Sequence, residues 1–266
     1  MGGMMSEYQH WLLTEKAHVA TLTLNRPDAM NSLTAETLYE LRDITIHLRT
    51  RKNVWVVIVQ GQGKHFSSGM DAGMIKDRLN QSEQANREYL LDLQGCLDEF
   101  EALEKPTIAK LHGFCIGGGL ILALCCDFRV ASQRTVFSLP EVRLGIGVIM
   151  GTQRVTRVAG VAATKEMILL GKRFNARTAQ AYGLLHSVVP PSEVDAAVAA
   201  FAERFQTLPP RTVGIAKRII DVGYNLSMRD SQDLEIDAQA ELLDSPDLRE
   251  AIESYVEKRR PRFAGE

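Results

Sequence analysis

The chain has 266 residues, 45% hydrophobic and 24% charged, which is enough for one large domain with a sizeable core. With 31 basic against 33 acidic residues the net charge is -2, so no basic excess points to nucleic acid. No apolar run approaches the length of a membrane span.

In chain order, the opening MGGMMSEYQHW lacks the apolar core of a signal peptide and the Arg-rich character of a transit peptide. The C-terminal FAGE is no peroxisomal address, and the expectation is a cytoplasmic protein without a membrane association. His18–Asn25 alternates apolar and polar residues as a half-buried strand, stopped by Arg26-Pro27-Asp28. Thr34 caps the next segment, whose Leu38, Leu41, Thr45 and Leu48 form one helical face. Val54–Gln60 is a β-branched run suited to a strand buried on both sides. Ile108–Leu111, Phe128–Ala131 and Val136–Phe137 read as further strands around a triple glycine and its helix.

Residues 152–171 predict another helix, with Val155, Val158, Met167 and Leu170 inward and Gly171 ending it. From about residue 192 the pattern is helical only, in three segments broken at Pro209-Pro210 and Ser245-Pro246. The expected organisation is an α/β core over 1–195 and a helical part over 196–266.

Cys96, Cys115, Cys125 and Cys126 form no C-x-x-C pair, which fits buried thiols in a reducing compartment. Gly61-Gln62-Gly63-Lys64 lacks the first glycine and the Ser/Thr of a phosphate loop, and the triple glycine lacks dinucleotide-binding spacing. No G-x-S-x-G elbow surrounds Ser67 or Ser68. His65 and His112 have no partner at metal-ligand spacing, so both read as structural and no metal is expected. Asp127 reads as a structural acid that satisfies loop backbone groups.

Two stretches, HFSSGMDAGM (65–74) and HGFCIGGGL (112–120), each couple a buried strand to a helix through small residues. Such a junction leaves the first N–H groups of the helix unpaired and lets them face a ligand with no side chain between. Two junctions side by side make a two-donor oxyanion hole, though either alone reads first as a tight turn or close helix packing.

Both stretches lie in an ordered set of landmarks: LNRPDAMNSLT (24–34), HFSSGMD (65–71), KPTIAKLHGFCIGGGLILALCCDFRVAS (105–132), FSLPEVRLGIG (137–147), GTQRVTRVAG (151–160) and AYGLLHSVVP (181–190). In these the chain resembles the crotonase, or enoyl-CoA hydratase/isomerase, superfamily, from about residue 11 to 265. The resemblance implies a Clp-protease-like spiral of ββα units with a C-terminal helical region that packs into homotrimers, often paired as hexamers. It implies an acyl-CoA thioester substrate whose coenzyme A is part of the substrate, with no separate cofactor. By motif position the oxyanion donors are the N–H groups of Met70 and Gly118. Substrate-binding positions implied are Ala29, Asn31, Ser68, Asp71, Ala72, Gly117, Ile121 and Gly145, with the adenine near the 29–31 and 68–73 backbones.

The catalytic carboxylates depart from the hydratase pattern. Hydratases of the family carry a glutamate two positions after the last glycine and another in the later x-P-E segment; here these positions are Ile121 and Glu141. Adding water shares its proton transfers readily between two carboxylates, whereas one carboxylate can move a proton between two carbons on one face. The family's Δ3,Δ2-enoyl-CoA isomerases likewise keep only the later glutamate. The resemblance therefore implies an enoyl-CoA isomerase with Glu141 catalytic. The alternatives are a hydratase, with Asp71 an outside candidate for a second acid or a cap on the next helix, and a non-catalytic acyl-CoA-binding scaffold.

Overall fold

The computed structural model describes residues 8–265; residues 1–7 of the N-terminal stretch and Glu266 lie outside them. Strands β1 (Trp11–Lys16) and β2 (Val19–Leu24) form an antiparallel hairpin turned by Ala17 and His18, both with positive φ. Helix α1 (Ala35–Thr50) follows, with Thr34 accepting from the Thr37 N–H and the Thr37 hydroxyl accepting from the Thr34 N–H. Its Leu38, Leu41, Thr45 and Leu48 are buried, as their spacing predicts.

β3 (Val56–Gly61) pairs parallel with β2, and α2 (Ala72–Lys76) and α3 (Glu83–Glu101) then lead to β4 (Thr107–Leu111). Next come β5 (Phe114–Ile116), α4 (Gly118–Leu124), β6 (Phe128–Ser132) and β7 (Val136–Ser138). After α5 (Thr152–Leu170), β8 (Phe174–Asn175), α6 (Ala176–Ala181) and β9 (Ser187–Val189), four helices complete the chain. These are α7 (Val194–Phe205), α8 (Pro210–Gly223), α9 (Met228–Leu242) and α10 (Pro246–Glu257).

The six-stranded sheet runs β1-β2-β3-β4-β6-β9, and a three-stranded sheet runs β5-β7-β8. Each crossover in the large sheet takes the chain through a helix, as parallel pairing requires. The main core fills one side of the large sheet, between it, α1, α3 and α4; a second cluster on Val56, Ile108 and Val130 is closed by Val194, Val198 and Ala202 of α7. The boundary read at 195 thus falls within a helix that covers the sheet.

Two helical readings need correction. Val158 and Leu170 are exposed: Gly160 (φ 76°, ψ 166°) breaks the α5 backbone, and each of the two residues falls in the last turn of one half, before Gly160 and before Gly171. Among the described residues the C-terminal region has four α-helices, because the middle one is split after Gly223 and restarted by Ser227, which accepts from the Asp230 N–H. Asp127 has its structural role: one carboxylate oxygen accepts from Thr107 N at 2.7 Å, from Thr107 Oγ1 at 2.9 Å and from Lys217 Nζ at 3.0 Å. It ties β4 to α8. Among the described residues no helix is long and apolar enough to cross a membrane.

Candidate active site

The loop leaving β3 runs beside β5: Phe66 N–H donates to His112 O, Ser67 N–H to Phe114 O, and Ile116 N–H back to Ser67 O. The buried Ser67 hydroxyl donates to Asn31 O at 2.8 Å and accepts from Gly69 N at 3.1 Å, so it fixes the turn. A short parallel bridge then joins Met70 to Leu33, with Leu33 N–H donating to Gly69 O and Asp71 N–H to Leu33 O. In such a bridge the N–H of Met70 itself points the other way, toward the start of α4. There Gly117 N–H is taken up by Ser138 O, and Gly118 is the first helical residue, so its N–H has no intrahelical acceptor.

The three glycines have three different reasons. A Cβ on Gly117 would meet Glu141 Oε1 at 2.7 Å; one on Gly118 would meet Met70 Sδ at 2.8 Å and Met70 N at 3.3 Å; one on Gly119 would meet Ser67 Cβ at 2.7 Å. A Cβ on Gly69, whose φ is +98°, would lie 3.3 Å from Gly118 N. The Met70 and Gly118 amides therefore share one small space, with the Glu141 carboxylate beside it. No acceptor among the described residues takes either N–H.

Glu141 opens a single 3-10 turn, Glu141–Leu144, after Pro140, and Gly145 closes it in the left-handed region (φ 74°). Its Oε2 is buried without a hydrogen-bond partner, and burial pushes the carboxyl above the usual carboxylate range. A carboxyl held this way accepts and returns a proton more evenly than a solvated one.

One cavity of about 440 Å³ contains Met70, Gly118 and Glu141. Ser68, Gly117 and Ile121 line it too, and Glu141 is the one carboxylate among its lining residues. Val148, Ile149 and Met150 make the wall before α5, and Ile121 occupies the space that a Cβ on Gly151 would take. A larger cavity of about 490 Å³ between α5, β8 and α6 includes neither amide and not Glu141.

Five of the expected binding residues do not line the site cavity: Ala29, Asn31, Asp71, Ala72 and Gly145. The Asn31 side chain is fully buried, accepting from Arg26 N and donating to Gln62 O and His65 O, so it shapes the loop and offers no side-chain atom to a ligand. Asp71 caps α2 through Gly73 N at 2.9 Å and accepts from the Ser32 hydroxyl at 2.9 Å, which commits both oxygens. That is the capping alternative. His65 accepts from Phe114 N and stacks on the Phe114 ring, and no cluster of three or more His, Cys, Asp or Glu among the described residues is placed to hold a metal ion.

Arg78, Asn86 and Tyr89 line the cavity from the α2–α3 connection and the start of α3. They lie in a segment with no motif, so only the fold brings them to the site.

The family model described as enoyl-CoA hydratase/isomerase matches residues 14–266. The chain belongs to the enoyl-CoA hydratase/isomerase family. It is 33% identical over 258 residues to a crotonyl-CoA hydratase of Syntrophomonas wolfei, covering 96% of this chain and 98% of that one. It is 34% identical over 261 residues to the enoyl-CoA isomerase/hydratase fer4 of Mycosarcoma maydis, covering 94% of each. The crystal structure of an enoyl-CoA hydratase from Bacillus anthracis superposes with a TM-score of 0.89 at 32% identity, covering 97% of this chain and 100% of that one. The fold is therefore the crotonase fold, and the protein is an enzyme of a family whose members carry both hydratase and isomerase names.

Proposed function

We propose that this family member is an enoyl-CoA isomerase that moves a double bond from the 3 to the 2 position of an acyl-CoA thioester. The observation that carries the reading is that Glu141 is the single carboxylate among the described residues that line the cavity, with Ile121 at the position where the family's hydratases carry a second. Glu141 takes a proton from C2. The electron pair spreads to the thioester oxygen, held by the Met70 and Gly118 N–H groups, and Glu141 returns the proton at C4. A donor of this kind typically lowers the barrier by about 3–4 kcal/mol. Ile121, Val148 and Ile149 keep the face of the dienolate dry, which suppresses addition of water.

The chemistry needs no cofactor beyond the coenzyme A that the substrate carries. With both Asp71 oxygens engaged, that side chain gives a hydration mechanism no second acid. Incubation with a 3-enoyl-CoA should produce the conjugated 2-enoyl-CoA faster than crotonyl-CoA is hydrated. Faster hydration, no turnover, or equal turnover by Glu141→Ala would overturn the assignment.

The assembly we propose is a homotrimer or a hexamer of paired trimers. Exposed apolar residues on or next to α8, α9 and α10, among them Ile220, Tyr224, Met228, Ile236, Tyr255 and Val256, support burial against a second copy. A monomer by light scattering would refute it.

A further inference from the structure

We propose that the cavity takes an acyl group ending in a carboxylate, and that Arg78 is the cation that receives it. The inference rests on the acyl-CoA reading above and deepens it to a substrate class.

Arg78 is half-buried and lines the same cavity as the two amides and Glu141. Its neighbours in that wall, Met74, Ile75, Leu79 and Leu90, are apolar. The guanidinium is held at three points. Nε donates to Asn86 Oδ1 at 3.0 Å, Nη2 donates to Ala85 O at 2.9 Å, and the group lies over the Tyr89 ring at 4.5 Å from its centroid. Asn86 returns a long bond from Nδ2 to Arg78 O. All of these acceptors are neutral, and Nη1 donates to no described residue.

Other half-buried arginines of the chain have carboxylates: Arg26 has Asp71, Arg154 has Asp98 and Glu101, and Arg218 has Glu104 and Glu241. Arg78 pairs with none. Asp77 and Glu36 act electrostatically on the Tyr89 phenol, yet neither forms an ion pair with Arg78. A guanidinium at the cavity wall with Nη1 left over has the fork geometry to take an anion of the ligand, unlike the buried Arg129, which has no carboxylate and donates to the Leu184 and Cys126 carbonyls.

An acyl-CoA carries anionic oxygens in two places, the phosphates of the nucleotide part and any carboxylate on the acyl part. The apolar wall around Arg78 suits an acyl chain, whereas the nucleotide phosphates are strongly hydrated. Arg78, just after α2, and Glu141, in the 141–144 turn, line the cavity from different elements, one placed for the chain end and one for the reacting carbons.

The test is binding of saturated ligands in matched pairs, pentanoyl-CoA against glutaryl-CoA and octanoyl-CoA against suberyl-CoA. In at least one pair the carboxylated member should bind wild type about tenfold tighter or more, and Arg78→Gln should remove that preference while changing the neutral member by less than about threefold. A wild-type preference for the neutral member in both pairs overturns the proposal, with no variant needed. So does a preference that survives Arg78→Gln, or an equal loss for both members, which would assign Arg78 to the nucleotide part. Because these ligands have no double bond, a carboxylate preference together with failed isomerisation overturns the reaction and leaves this inference standing. Binding of neither member overturns the acyl-CoA reading itself.

Discussion

Glu141 rests against Gly117: Oε1 lies 2.7 Å from where a Cβ on that glycine would stand, at the entry to α4. Gly117 also has φ 50° and ψ -126°, a backbone that side-chain-bearing residues rarely adopt. In the proposed reaction, the residue before an oxyanion donor thus also sets the position of the base. One glycine joins the two halves of the site.

Gly117→Ala should therefore lose activity by displacing Glu141, with a stability cost of about 1–3 kcal/mol from backbone strain. Gly145→Ala is the control, since Gly145 has φ +74° but open space where its Cβ would go. It should cost about 1–2 kcal/mol and leave most of the turnover. Steady-state kinetics alongside urea unfolding separates the two, and equal activity losses would contradict the contact argument.

Glu141→Gln should abolish proton transfer and stabilise the fold at neutral pH. The carboxyl is raised by burial, so the folded state disfavours its charged form. The wild-type carboxyl is neutral below its unfolded value, and there the two proteins should be equally stable. As pH rises through the folded value the wild type loses stability relative to the variant. Denaturant titrations at acid and neutral pH check the sign. The same shift predicts that wild-type kcat/KM falls on the acid side with an apparent pKa above the ordinary glutamate value, as the base becomes protonated.

Ile121 and Gly151 form a second close pair, the Ile121 side chain filling the space of a Gly151 Cβ. Gly151→Ala should destabilise by about 1–3 kcal/mol through overpacking. Ile121→Ala in the same chain should recover part of that loss, with a coupling of about 0.5–3 kcal/mol. Additive effects in a double-mutant cycle would show that the wall relaxes freely.

Asp127 and Lys217 bind α8 to the sheet at 3.0 Å, with Lys217 9% exposed. Asp127→Ala leaves that ammonium and two Thr107 donors without their acceptor, and should cost about 3–5 kcal/mol. Lys217→Met removes the charge and keeps the apolar stem, so it should cost less. The order of the two unfolding midpoints decides the point.

Much of the candidate site is legible in the sequence, and for local reasons. The strand-glycine-helix junctions at 65–74 and 112–120 are contiguous, so their unpaired amides follow from helix geometry. The apolar period of α1 reports its buried face in the same way. Where a local rule was interrupted, the reading failed: Gly160 divides α5, and Val158 and Leu170, in the last turns of its two halves, are exposed although their spacing reads as inward.

By itself the amino-acid sequence determined the ordered motifs of the family, the two glycine junctions, the absence of a glutamate at 121 and its presence at 141. Tertiary structure alone decided what each glycine faces, that Asp71 and Asn31 are occupied by their own neighbours, and that Arg78 reaches the cavity without a carboxylate. The physical reason is range. Propensity, capping and periodicity act over a few residues and can be read along the chain. A contact such as Gly117 with Glu141, or a cation left without a counterion, depends on which distant segments the crossovers of the sheet bring together.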